Sequence, residues 1–98
     1  MNLQELKKIT SPLCARHKVA RLDLFGSYAK GTETPASDVD FCVSFQQLPA
    51  AEYSAHYFGF LHDLEDALGL PIDLLTEQSI KRETLRNNIN SSRVPIYG

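Results

Sequence analysis

The chain has no surplus of positive charge, no long apolar run and few cysteines, and each shortage closes off a class of function. Ten lysines and arginines against twelve acidic residues leave a formal charge of −2. Proteins that grip nucleic acid by its backbone carry a basic excess, so direct DNA binding is not expected. No stretch approaches the roughly 20 apolar residues that span a bilayer, and Met1 to Lys8 lacks the apolar core of a signal peptide. A cytoplasmic protein without membrane contact is the expectation. Cys14 and Cys42 do not form a Cys-x-x-Cys pair, which speaks against structural zinc and for two free thiols. Repeats, low-complexity tracts and linkers are missing as well. The composition is 43% apolar and 22% charged over 98 residues, ordinary for a globular protein. One domain spanning residues 1–98 is expected.

The hydrophobic pattern predicts an α+β fold with a small mixed sheet. Leu3, Leu6 and Ile9 give the stripe of an amphipathic first helix, with Pro12 either inside it or opening a further turn capped by Ser11. Val19 to Phe25 reads as a buried strand ended by Gly26, and Tyr28 to Gly31 as a short helix or turn. In the next strand Val39, Phe41, Val43 and Phe45 share one face, leaving Asp38, Asp40, Cys42 and Ser44 on the other. A helix from about Pro49 to Leu68 carries Tyr53, Tyr57, Phe60, Leu61, Leu64 and Leu68, and Gly69 before Leu70-Pro71 stops it. Ile72 to Leu75 is a third strand, Ser79 to about Asn90 a last helix, and Val94 to Tyr97 an extended tail. The long helix between the second and third strands calls for a parallel crossover. The first two strands must run antiparallel if Gly26-Ser27 and Asp38–Asp40 are to meet.

Those pieces are what a phosphate-and-metal site needs. Asp38 and Asp40 leave the same strand face about 6.6–6.8 Å apart at the backbone. Carboxylates so placed can share hard cations, as in two-metal phosphoryl transfer, and oxygen donors suit Mg²⁺. Asp-x-Asp alone fits a solvated strand face better than a site; the wholly apolar opposite face and the adjoining Gly-Ser turn reverse that. Gly26 lets the backbone approach a ligand, and Ser27 offers an amide and a hydroxyl to phosphate oxygens, although Gly-Ser is also a common capped turn. Lys30 is either a cation near a triphosphate or a surface lysine. Ser37 can fix the turn before the aspartates. Asp73 is an edge charge or a third carboxylate able to bind metal and help deprotonate an incoming hydroxyl. His56 and His62 do not share a helix face and His17 is expected at the surface, so no histidine ligand is foreseen. Arg82 and Arg86 give a solvated helix face or a contact for phosphate or partner.

Gly26-Ser27-Tyr28-Ala29-Lys30-Gly31 followed by Ser37-Asp38-Val39-Asp40-Phe41 resembles the signature of the DNA polymerase beta-like nucleotidyltransferases. Over its whole length the chain looks like the minimal nucleotidyltransferases, the MntA-type antitoxins paired with HEPN-domain toxins. That resemblance implies ATP as substrate and Mg²⁺, two ions, held by Asp38, Asp40 and Asp73. It implies Gly26 and Ser27 as phosphate contacts, with Lys30 and Ser37 beside them. Lys30 stands where the family usually has arginine, which keeps the charge and loses the bidentate fork.

The reaction implied is transfer of AMP from ATP to a hydroxyl, a tyrosine of a HEPN ribonuclease toxin, which makes this chain the antitoxin. The length leaves no second domain to hold a polymer, so the acceptor must bring its own binding surface. The rival expectation is a nucleotidyltransferase-fold module that neutralises a partner by contact alone. Transfer to a small molecule comes third, since no substrate domain is present.

Overall fold

The computed structural model describes residues 2–77 and 93–98. In chain order the elements are α1 (Leu3–Arg16), β1 (Val19–Phe25), α2 (Gly26–Lys30), β2 (Val39–Phe45), α3 (Ala50–Leu68), β3 (Ile72–Thr76) and β4 (Val94–Tyr97). The four strands form one mixed sheet in the order β3-β2-β1-β4. β1 is antiparallel to β2 and β4, and β2 is parallel to β3. The predicted antiparallel pair and parallel crossover are therefore both present. The segment expected as a last helix, with Arg82 and Arg86, lies outside the described residues.

One sheet face carries the core. Leu22, Leu24, Val39, Phe41, Val43, Leu74 and Ile96 pack against Leu6, Leu13 and Cys14 of α1 and Phe60 and Leu64 of α3. The β2 alternation read from sequence holds for Val39, Phe41 and Val43, while Cys42 on the opposite face is buried with Phe25. Both cysteines are buried free thiols. Burial raises both, Cys14 to about 12.

Two local expectations change. α1 runs unbroken through Pro12, capped by Asn2 rather than Ser11: the Asn2 side chain accepts from the Glu5 N–H at 2.8 Å. Its buried face is Leu6, Thr10, Leu13 and Cys14, and Leu3 remains 43% exposed. The helix is thus rotated from the Leu3–Leu6–Ile9 stripe, because Thr10 satisfies its hydroxyl internally on the Leu6 carbonyl at 2.8 Å and can be buried. Second, Val94–Tyr97 is a sheet strand, not a tail.

At the sheet edge, the Val39 N–H donates to the Pro71 carbonyl at 2.9 Å. Parallel alternation then turns the main-chain groups of Asp73 and Leu75 toward β2 and those of Ile72, Leu74 and Thr76 outward. The Tyr57 hydroxyl donates to the Leu74 carbonyl at 2.6 Å, so a side chain from α3 occupies the middle of this edge.

Candidate nucleotide and metal site

Asp40 is the centre of the candidate site because both neighbours of β2 deliver something to it. Across the antiparallel pair it faces Phe25, whose next residue is Gly26. Across the parallel pair it faces Asp73. A one-residue slip of either pairing would turn one partner to the wrong side of the sheet.

Gly26 has φ +74°, a conformation that side chains with a Cβ resist. A Cβ there would lie 2.2 Å from Asp40 Oδ2, so the loop touches the carboxylate through bare backbone. α2 begins at Gly26, and no side chain caps it. Its first amides have no helical partner by construction, which leaves Ser27 and the following N–H groups able to receive an anion. Gly31, in the left-handed region at φ +72°, closes this turn by donating to the Ser27 carbonyl.

The carboxylates crowd. Asp40 is half-buried, and its carboxyl is pushed up to about 6 by burial first, then by the charge of Asp73, the charge of Asp38 and a side-chain hydrogen bond with Asp73. Asp38 precedes β2 on the exposed side, and Asp73 is exposed on β3. Among the described residues, no three His, Cys, Asp or Glu side chains are already gathered around a common point for a metal. Asp40 and Asp73 meet, whereas Asp38 acts on Asp40 through its charge. The donor set nevertheless fits a hard divalent cation: all oxygen, negatively charged, and held together against mutual repulsion.

Ser37 is placed in the turn before β2, where its Oγ accepts from the Thr34 N–H at 2.9 Å and its own N–H donates to the Thr34 carbonyl at 3.0 Å. That is the turn-fixing role expected of it, and among the described residues its hydrogen bonds all go to Thr34. Lys30 is exposed in the last turn of α2. A cavity of about 360 Å³ beside α2 is lined by Leu6, Leu24, Tyr28, Val39 and also Lys30 and Glu33, with none of Asp38, Asp40 and Asp73 among its lining residues. Tyr57 has its phenol raised, by burial first and then by Asp73 and Tyr53.

Sequence reasoning missed two groups. Asp23, fully buried in β1, is bound by Arg93 Nε at 2.5 Å and Arg21 Nε at 3.1 Å, and Arg93 also pairs with Glu77. The signal was an acid between Leu22 and Leu24 in a strand too apolar to leave it in water. His17 is not at the surface either. Its ring sits 2.6 Å from Asp63 Oδ2, under Gly59 and beside Phe60.

The pattern of the nucleotidyltransferase domain family matches residues 6–96. A protein of Methanocaldococcus jannaschii, named as a provisional protein adenylyltransferase, is 35% identical over 91% of this chain and 88% of its own length. The protein adenylyltransferase MntA of Thermococcus cleftensis is 32% identical over 83% of each chain. A toxin–antitoxin complex solved with AMP-PNP contains a chain of the same fold, with a TM-score of 0.68 at 21% identity, covering 94% of this chain and 73% of that one. No described helix is long and apolar enough to cross a membrane. With residues 6–96 matched and the relatives covered over most of their length, the chain belongs to the nucleotidyltransferase family and is similar to the MntA-type adenylyltransferases.

Proposed function

We propose that this nucleotidyltransferase moves AMP from ATP to a tyrosine hydroxyl of a HEPN-domain toxin in the cytoplasm, and so serves as the toxin's antitoxin. The observation that carries the reading is Asp40 held between the bare backbone of Gly26 and the carboxylate of Asp73. Asp38, Asp40 and Asp73 would hold Mg²⁺, which when bound neutralises phosphate charge and polarises the reacting phosphoryl group. The relatives named as adenylyltransferases support AMP as the transferred group, and the solved toxin–antitoxin complex supports a toxin as partner.

The chain's own contribution is position and charge. The amides and hydroxyl of Ser27 hold terminal phosphate oxygens, with Lys30 as a nearby cation. The acceptor oxygen attacks the α-phosphorus in line and forms the new O–P bond. The bond to the bridging oxygen breaks, and pyrophosphate leaves. The acceptor's proton passes to a carboxylate of the Asp40–Asp73 pair, the acids that lie together at this end of the sheet.

The experiment supplies Mg²⁺, the toxin, and ATP labelled at either the α or the γ phosphorus. Label must pass to the toxin from the α position alone, and Asp40→Ala must reduce that transfer by several orders of magnitude with the fold intact. Near-full activity in Asp40→Ala rejects the assignment. Inhibition of the toxin with no label transferred returns the contact-only antitoxin.

A further inference from the structure

A second concave surface adjoins the carboxylates. Tyr53, Ser54, Tyr57 and Phe58 of α3 face Leu74, Leu75 and Thr76 of the edge strand β3 across a groove of about 340 Å³. Among the described residues no charged side chain lines it, and its floor begins at the residue after Asp73. Phe58 is 65% exposed, large and apolar, and its ring is held edge-on against Tyr57 at 5.1 Å between centroids. A surface aromatic with that much area in water and a fixed orientation is the usual anchor of a protein contact.

The occupant is constrained by Tyr57. Its hydroxyl already binds the outward Leu74 carbonyl, so an added strand, including β3 of a second copy, would have to break that bond to pair with the edge. The groove therefore suits an inserted side chain. Asp73, exposed and one residue before Leu74, carries its charge close to Tyr57 and favours basic residues around the insertion.

We infer that this groove docks the acceptor: a tyrosine of the partner protein, on a segment with basic flanks, lays its ring among Tyr53, Tyr57 and Phe58 and presents its hydroxyl past Leu74 toward Asp73. The inference rests on the adenylyl-transfer reading above and adds the surface by which the acceptor is chosen. Ring-on-ring contact fixes the direction of the phenol, and the groove's position along β3 sets which carboxylate it meets.

The test uses the full chain, ATP with Mg²⁺ and the toxin, with Phe58→Ala to remove the anchor and Ser54→Arg to fill the groove from an exposed position. Unfolding temperature serves as the check that both variants are folded. Each variant is expected to raise the KM for the toxin by roughly tenfold or more, the size of an anchor's loss, with the change falling on the toxin and not on ATP. A rise in the KM for ATP instead makes the groove a seat for the adenine base and overturns the inference. Unchanged kinetics in both variants overturn it too. If the wild type labels no toxin, the transfer reading fails, and the groove is judged by calorimetric binding of the toxin without ATP: a tenfold loss in both variants sustains docking there, and equal affinity removes it.

Discussion

Asp40 is held in a position that favours its protonated form, so its charge is a cost to the fold. Burial and the neighbouring carboxylates raise its pKa to about 6, so the native state binds the proton more tightly than the unfolded chain. The resulting stabilisation is complete below the ordinary carboxylate range and is lost as pH rises through about 6. Asp40→Asn removes that slope. Thermal melts should show the variant more stable than wild type at pH 8, with the gap closing toward pH 4, while nucleotidyl transfer disappears. A variant less stable than wild type at pH 8 contradicts this account. Gly26 is the complementary case. Gly26→Ala forces a Cβ onto Asp40 in a left-handed conformation, at a cost of roughly 1–3 kcal/mol by the usual toll for such backbone strain. Melting temperature and transfer should fall together. The meeting of these two residues was legible from sequence because Gly26 ends one strand and Asp40 opens the next, which an antiparallel pair brings to the same end of the sheet.

At the scale of elements, α1 and α3 are joined by a polar bolt as well as by apolar packing. Asp63 of α3 receives the His17 ring at 2.6 Å and Arg16 at 3.3 Å. The His17 hydrogen bond, ahead of the charges of His17 and Arg16, lowers the Asp63 pKa despite some desolvation. A lowered carboxylate stabilises the fold above its unfolded pKa, and the effect is lost as pH falls through the folded value. Asp63→Asn should therefore lower the melting temperature at pH 7, with the deficit shrinking as the solution is acidified; equal melting at pH 7 would refute the bolt. This junction was hidden from sequence reading because periodicity finds apolar stripes. A helix that buries Thr10 through its own backbone, and ends on a histidine tucked under a glycine, leaves no stripe to find. The long helix α3 and strand β2, whose repeats run cleanly for several turns or residues, were read closely from sequence, with Pro49 standing at the cap instead of inside the first turn.

For the molecule as a whole, Asp23, Arg93 and Glu77 tie β1 to the start of β4 and the end of β3. Arg93 is largely buried, so Asp23→Ala leaves a guanidinium without its inner partner and should cost roughly 3–5 kcal/mol, read by urea denaturation. Replacing both residues, Asp23→Leu with Arg93→Met, should recover much of that loss; if the double variant is no better than the single one, the pair is not the source. Short-range pattern could not reveal this link, since its members lie at opposite ends of the chain and β4 is only four residues long. The Asp40–Asp73 pairing is nonlocal in the same way, its two halves divided by α3. Severing the chain within α3 would place one acid on each fragment, and neither piece alone could bring them together. Reassociation of the halves would restore that meeting, making catalytic turnover a direct report that two separated polypeptides have rejoined in register.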